Sequence, residues 1–450
     1  RLTPVNWHLT GGEVSYVVDD CEAKAFLADA RFADVAREAA AAAPRARERL
    51  AIGGPIEGFG DYDEALAGEQ AHDLEDPALG GTMLYTSGTT GRPKGVYRRR
   101  PPRSALTAVL LESAAFRPGE DLALCTGPLY HAAPLALNLV LPLASGVAVH
   151  LMDRWDARET LRLAAELGAT HTHMVPTMFH RLLALPEEER RAHDLSRLRW
   201  VLHGAAPCPV HVKRAMIAWL GPVLYEYYAA TEGGAFFIDS HAWLRKPGSV
   251  GRLDGRQEVQ VQDAEGRALP PGEVGTVYVR APPRDQGRFE YFKAPEKTAS
   301  AYRGDFFTMG DHGYVDEEGY LFLTGRSAEL VITGGVNVYP AEVDAVLLMH
   351  PAVADAAAIG VPDEEWGEQV KAVVRPADGV APSDALAAEI VAFCRARLAH
   401  YKCPRSVDFS DELPRLPTGK IQRHVLRQRY LDAAPPGPAE IPDRQETRWT

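Results

Sequence analysis

Three things are scarce in this 450-residue chain, and each scarcity excludes something. Cysteine comes first: Cys21, Cys125, Cys208, Cys394 and Cys403 are odd in number, scattered, and never spaced C-x-x-C. They offer neither a disulfide framework nor a zinc site, and read as reduced, mostly structural thiols of a cytoplasmic protein. Positive charge comes second. With 49 Lys and Arg against 61 Asp and Glu, the formal net charge is −12, which argues against nucleic acid or an anionic membrane surface as the main partner. Phosphate binding is local and survives an acidic balance. Long apolar runs come third: none reaches the roughly 18 residues that a membrane helix needs, and no signal peptide opens the chain. No integral membrane contact is expected.

What is present is ordinary in bulk and unusual in one place. Hydrophobic residues make up 46% and charged residues 24%, as in a globular protein. The length exceeds one ordinary core, so a large domain plus a smaller one is expected. The unusual stretch is Thr86-Ser87-Gly88-Thr89-Thr90-Gly91-Arg92-Pro93-Lys94-Gly95, which follows the strand-like run Thr82–Tyr85. Glycines let the backbone approach a ligand, amide and hydroxyl groups make an anion-binding concavity, and a lysine adds a mobile positive charge. This is a phosphate cradle. It is not of the Walker type, because Lys94 is followed by Gly95 rather than by Ser or Thr.

Downstream, short apolar strands such as 121–125, 147–151 and 172–175 alternate with helices at 105–115, 135–143 and 158–167. That rhythm implies a parallel sheet covered on both faces, with ligands at the carboxyl ends of its strands. Before the cradle, Ala33–Leu50 reads as an alanine- and arginine-rich helix. From Gly248 to Val279 alternating strands and turns look like a small β-barrel or sheet. After Arg326 comes an α+β unit: strand 329–333, helix 340–348, strands 354–360 and 369–374, helix 383–399. The fold class is therefore α/β, with a large domain over 1–326 and a small α+β domain over 327–432. The tail 433–450, with Pro435-Pro436-Gly437-Pro438, is expected to be flexible.

The chemical residues follow the strand candidates. In Tyr228-Ala229-Ala230-Thr231-Glu232, Glu232 offers the hard oxygen that Mg2+ bridging ATP phosphates requires, Thr231 a phosphate contact, and Tyr228 a flat face for adenine. In Thr308-Met309-Gly310-Asp311, Asp311 is a natural acceptor for two vicinal ribose hydroxyls. Pro128-Leu129-Tyr130-His131-Ala132-Ala133-Pro134 and His203-Gly204-Ala205-Ala206-Pro207 are compact strand-to-helix turns. In Leu416-Pro417-Thr418-Gly419-Lys420 a Pro- and Gly-built turn presents one long cationic side chain. Each of these alone is equally an ordinary turn, a buried aromatic or a surface lysine.

Their order removes that ambiguity. The set resembles the motifs of the adenylate-forming superfamily, which includes acyl-CoA synthetases, luciferases and peptide-synthetase adenylation domains. The resemblance runs from Thr86 to Lys420, with Ala229 where glycine is usual and Met309 where threonine is usual. It implies that Thr86, Ser87, Gly88, Thr89, Thr90 and Lys94 hold phosphate, and that Gly204, Ala205, Ala206, Tyr228, Thr231, Asp311 and Arg326 complete the ATP and AMP site. It further implies that Lys420, His131, Thr231 and Glu232 are catalytic, with Glu232 the Mg2+ ligand. His131, Ala132, His203, Gly204 and Tyr227, together with Ala133, would wall the acyl pocket. Several of these are small, so a fatty or bulky hydrophobic acid is expected. The Gly334-Gly335 loop would face coenzyme A, and the small domain would be a mobile lid pivoting at Ala328, where family members usually carry aspartate or lysine. Family members also usually carry more chain before the equivalent of Pro4-Val5-Asn6-Trp7, so an N-terminal piece is expected to be missing. The implied ligands are a small carboxylic acid, ATP, Mg2+ and coenzyme A, and a homodimer is compatible with the resemblance. Three alternatives stay open: loading of a carrier protein, catalysis of one half-reaction only, and a silent nucleotide-binding relative.

Overall fold

The computed structural model describes the whole chain except residues 73–74, 78–79, 87–92, 100–104, 256–257, 284–286, 327–328, 334–335, 364–365, 417–418 and 434–450. Ser87, Gly88, Thr89, Thr90, Ala328, Gly334, Gly335 and almost all of the expected flexible tail lie outside the described residues. The chain divides into two units, Arg1–Leu323 with Pro417–Gly419, and Thr324–Leu416 with Lys420–Thr450. The first division falls within the Tyr320–Arg326 strand.

In the first unit, helix Gly11–Asp20 opens on a capping box between Thr10 and Glu13. The long helix expected over Ala33–Leu50 is instead a helix over Ala33–Ala42 and a strand over Glu48–Ile52. Pro44 accounts for the break, since it disfavours helical backbone at Ala43 and cannot donate to the preceding turn. The strand pairs in parallel with Ala25–Asp29 and Gly60–Asp61.

A central sheet of six strands positions the chemistry. Its order is Gly233–Asp239, Leu224–Ala230, Trp200–His203, His171–Met174, Leu122–Cys125, Ala148–Leu151. All neighbours run parallel except the first pair. Helices Ala157–Glu166, Pro176–Leu183 and Val210–Leu220 bury Leu161, Phe179 and Met216 against one face, in the main core. The Pro134–Val140 and Leu141–Ala144 helical segments pack on the other face with Leu110, Trp200, Leu202 and Tyr227.

Beside this lies the predicted β region. Among the described residues it is an open sheet in the order Ser249–Arg252, Tyr320–Arg326, Phe306–Val315, Gly275–Arg280, Val259–Gln262, with Tyr302–Arg303 pairing the third. The cradle strand Lys94–Tyr97 forms its own small sheet between Leu84–Thr86 and Glu290–Tyr291.

The second unit has its own core, with Val331, Val343, Leu347, Val370 and Ile390 buried between a sheet and two helices, Pro340–Leu347 and Asp384–Arg395. Its long strands Val353–Asp363 and Gly367–Pro376 form an antiparallel pair.

Candidate active site

The cradle stretch is flanked by two paired strands: Thr86 stands opposite Lys94 in antiparallel register. The Lys94 Nζ lies 5.2 Å from the centre of the Tyr291 ring, and burial lowers its pKa from the ordinary lysine value. The Tyr291 hydroxyl donates to Glu232 Oε1 at 2.9 Å. Arg98 reaches across the same region and donates from Nη2 to the Thr231 carbonyl at 2.8 Å. Lys94, Arg98, Tyr291, Thr231 and Glu232 therefore form one cluster of two cations, one carboxylate and two hydroxyl-bearing residues. Arg98 and Tyr291 went unnoticed in the sequence. The two-residue period that puts Lys94 and Arg98 on one side of a strand was the available signal.

The expected adenine and ribose residues also meet. The Tyr228 hydroxyl donates to Asp311 Oδ2 at 2.8 Å, and both residues are buried. Gly310, just before, has φ of 81° and donates its amide to Thr308 Oγ1 at 3.0 Å, where the Phe306–Val315 strand shifts register against its neighbour. Arg326 ends the Tyr320–Arg326 strand.

His131 follows the carboxyl end of the Leu122–Cys125 strand. The chain turns tightly there: a Cβ on Gly127 would lie 2.6 Å from Pro134 Cγ, so only glycine allows the Pro134–Val140 helix to start so close. Burial pushes the His131 pKa down to about 4, which leaves the imidazole neutral at pH 7. Its Nε2 and the Tyr130 hydroxyl are both buried without a hydrogen-bond partner among the described residues, and the two ring centres are 4.7 Å apart. Ala132 and Ala133 are half-buried beside them.

The His203–Pro207 turn leaves the Trp200–His203 strand, which lies beyond His171–Met174 in the sheet. Ala205 holds a φ of 68°, a backbone conformation that is costly for a residue with a Cβ and that concentrates at ligand-binding turns. Gly204 lies against Tyr227: a Cβ there would be 2.6 Å from the Tyr227 carbonyl oxygen. The His203 side chain does not join this wall. In the register Met174–His203–Glu226 it points to the face opposite His173 and Tyr227. It is fully buried against Phe179, and its Nε2 is 3.8 Å from Glu226. Tyr227 is one step past Glu226, the register partner of His203, so the His203 and Tyr227 side chains face opposite sides of the sheet and His203 can meet the Tyr227 side only through its backbone. Sequence reading also missed His173, whose Nε2 is 3.0 Å from the Tyr227 hydroxyl, and Asn138, which accepts the His173 amide at 3.1 Å.

In the second unit, Lys420 sits on a turn closed by Leu416 N donating to Lys420 O at 2.8 Å and by Gln422 N donating to Pro414 O at 2.8 Å. Gly419 supplies the φ of 77° that the turn requires. Just beyond, Arg423 anchors the segment: it donates to Glu329 Oε2 at 2.7 Å, to Ala358 O at 3.1 Å and to the part-buried Asp344 carboxylate.

Comparison with known proteins agrees with this geometry. Residues 1–284 match the AMP-binding enzyme family, and residues 342–420 match the AMP-binding enzyme C-terminal domain. A fatty acid–[acyl-carrier-protein] ligase, ScoC, of Streptomyces coeruleorubidus is 34% identical over 440 residues, covering 95% of this chain and 82% of the relative. A feruloyl-CoA synthase of an Amycolatopsis species is 37% identical over 360 residues, covering 79% of this chain and 70% of the relative. The crystal structure of ATP-bound MatB from Rhodopseudomonas palustris superposes with a TM-score of 0.81 at 32% identity, over 96% of this chain and 84% of that one. The chain belongs to the adenylate-forming acyl-CoA synthetase superfamily and is an acid–thiol ligase of the AMP-forming type.

Proposed function

We propose that this enzyme activates an apolar carboxylic acid with ATP, forming an acyl-adenylate and pyrophosphate, and then transfers the acyl group to coenzyme A with release of AMP. The observation that carries the reading is the Lys94–Tyr291–Glu232 cluster, taken together with the Tyr228–Asp311 pair. A carboxylate is a poor electrophile, and AMP is a far better leaving group than oxide. In the first half-reaction a carboxylate oxygen attacks the α-phosphorus and the bond to pyrophosphate breaks. Lys94 and the cradle amides offset the polyphosphate charge, Asp311 and Arg326 hold the ribose, and Tyr228 lies against adenine. Lys420 meets the charge that develops on the α-phosphate, where fixed or guided cations lower the barrier most. In the second half-reaction the thiol sulfur attacks the acyl carbonyl, and AMP leaves. His131, neutral at pH 7 with a free ring nitrogen, orients the acid's carboxylate near the thiol path.

Magnesium fits the residues available. Among the described residues no group of three or more His, Cys, Asp or Glu could cage a metal. A lone carboxylate, Glu232, is the donor set suited to an ion that keeps its waters and binds mainly to substrate phosphates. Bound there, Mg2+ would neutralise the polyphosphate. Among the described residues no helix is long and apolar enough to cross a membrane.

The test separates the half-reactions. Lys420→Ala is expected to stop acid-dependent pyrophosphate release while thioester formation from a supplied acyl-adenylate persists. Equal loss of both would make the lysine structural or shared. A second reading, transfer to a carrier protein, is favoured by the likeness to ScoC. It would be chosen over the first if a phosphopantetheinyl carrier protein accepted the acyl group and free coenzyme A did not.

A further inference from the structure

The wall behind Gly204 is not the small-residue space that its neighbours Ala132 and Ala133 imply. Tyr227 is buried, with its ring carbons Cε1 and Cζ 2.7 Å from where a Gly204 Cβ would stand. The ring thus covers the Gly204 backbone on the sheet face that the Pro134–Val140 helix packs against. Ala133 and Leu137 touch the same cluster, and Trp200, Leu202 and Leu141 close it behind. Tyr227 is also tied down. Its hydroxyl is 3.0 Å from His173 Nε2, and the His173 backbone N–H donates in turn to Asn138 Oδ1 on that helix. A Tyr227 rotation that opened the space would break a buried hydrogen bond and leave His173 without its partner.

We infer that Tyr227, held by His173, is a specificity-determining stop at the inner end of the acyl site. The enzyme then takes compact acids, about the size of one aromatic ring or a short branched chain, and excludes long-chain fatty acids. An acid whose carboxylate lies beside His131 and Gly204 meets the flat Tyr227 ring, which suits a planar ring edge or face and obstructs an extended alkyl chain. This narrows the fatty or bulky acid expected from the sequence. It rests on the acid–thiol ligase reading above.

The experiment measures acid-dependent pyrophosphate release and kcat/KM for benzoate, cinnamate, hexanoate, dodecanoate and palmitate, with the parent and with Tyr227→Ala and Tyr227→Leu. A misfit of a few methylenes is worth roughly 10-fold or more in specificity. The parent is expected to use its preferred compact acid at least about 10-fold better than dodecanoate, and Tyr227→Ala to raise the dodecanoate-to-compact ratio by at least about 10-fold. Tyr227→Leu, which keeps the site filled by an apolar side chain, should raise it less. Thermal unfolding and AMP binding establish that each variant is folded. A parent that prefers dodecanoate or palmitate overturns the inference even if neither variant folds. A folded Tyr227→Ala with an unchanged ratio overturns it as well. A parent that binds AMP yet activates no acid in the panel sinks the apolar-acid reading of the proposed function, and the inference with it.

Discussion

The two faces of the central sheet bury their polar groups in opposite ways. One face presents His171, His173, Trp200, Leu202, Tyr225 and Tyr227, and its polarity is neutral: His173 meets the Tyr227 hydroxyl, and His171 Nε2 lies 2.8 Å from the Ala114 carbonyl. The other presents Met174, Val201, Leu224, His203 and Glu226, and its polarity is ionic: Lys213 Nζ lies 2.6 Å from Glu226 Oε2, and both side chains are almost wholly buried. Lys213 also lies 4.8 Å from the Trp243 ring centre. Glu226 and His203 stand opposite each other in register, and each is followed directly by a residue of the proposed acyl wall, Tyr227 and Gly204. The ionic face therefore fixes the backbone from which the neutral face projects its contacts. A hydrogen-bonded neutral pair tolerates alteration, whereas half of a buried ion pair does not.

Breaking the ionic face should have the largest effect. Lys213→Met keeps the stem's volume and removes the charge, leaving Glu226 buried and unpaired beside a neutral His203. A loss on the order of 3–5 kcal/mol is expected from such a change. Burial raises the Glu226 pKa against the pull of Lys213, so the variant's carboxyl should be shifted further in the same direction. The double variant Lys213→Met, Glu226→Gln should recover much of the loss, as read by urea unfolding. A single variant as stable as the parent would show that the pair contributes no net stabilisation.

The parts of the site that were legible in the sequence are those in which a few adjacent residues make the site by themselves. The hydroxyl- and glycine-rich stretch, the Tyr228–Glu232 run and the Gly310-Asp311 pair carry their proposed chemistry in consecutive positions. The alternation of short apolar strands and helices likewise gave the parallel sheet, because a strand covered on both faces must be apolar at every position. What could not be read is which face a strand residue points to once the sheet is assembled. His203 and Tyr227 are each one step from Gly204 and Glu226, and only the interstrand register separates them. Tyr291 joins the site through pairing of the Lys94–Tyr97 and Glu290–Tyr291 strands, which are far apart in the sequence. Such long-range pairing leaves no local trace. The break at Pro44 was visible and was outweighed by the surrounding alanines.

Acidification should probe both faces at once, with a smaller effect per residue. Burial pushes the pKa values of His171 and His173 down to about 4, and that of His203 well below the ordinary value. In the unfolded chain each would titrate near 6.5. Between these values the unfolded state binds more protons than the folded state, so stability is complete above about pH 6.5 and falls as pH drops toward 4. At about pH 5 the loss is on the order of 2 kcal/mol for each such histidine. His173→Gln should remove one share of this slope and leave the His203 share, so unfolding midpoints measured between about pH 7.5 and pH 5 should fall less steeply than in the parent. An unchanged slope would mean that His173 is already protonated, or exposed, in the folded state.

The smallest effect should come from the tether on the neutral face. Tyr227→Phe keeps the ring over Gly204 and removes only the hydroxyl that meets His173. Loss of one buried neutral hydrogen bond costs about 1 kcal/mol, and somewhat more when the remaining partner stays buried and unsatisfied. His173 would be that partner, because its surroundings are Asn138, which already accepts its amide, and the Tyr227 ring 5.7 Å away. A double-mutant cycle of Tyr227→Phe with His173→Gln separates the bond from its surroundings. A coupling near 1 kcal/mol is expected, several times less than the coupling between Lys213 and Glu226 measured in the same way. If the two couplings came out equal, the contrast between a forgiving neutral face and an unforgiving ionic one would be lost. Tyr227 and His173 would then have to be treated, like Lys213 and Glu226, as part of the support rather than as an adjustable stop in the acyl site.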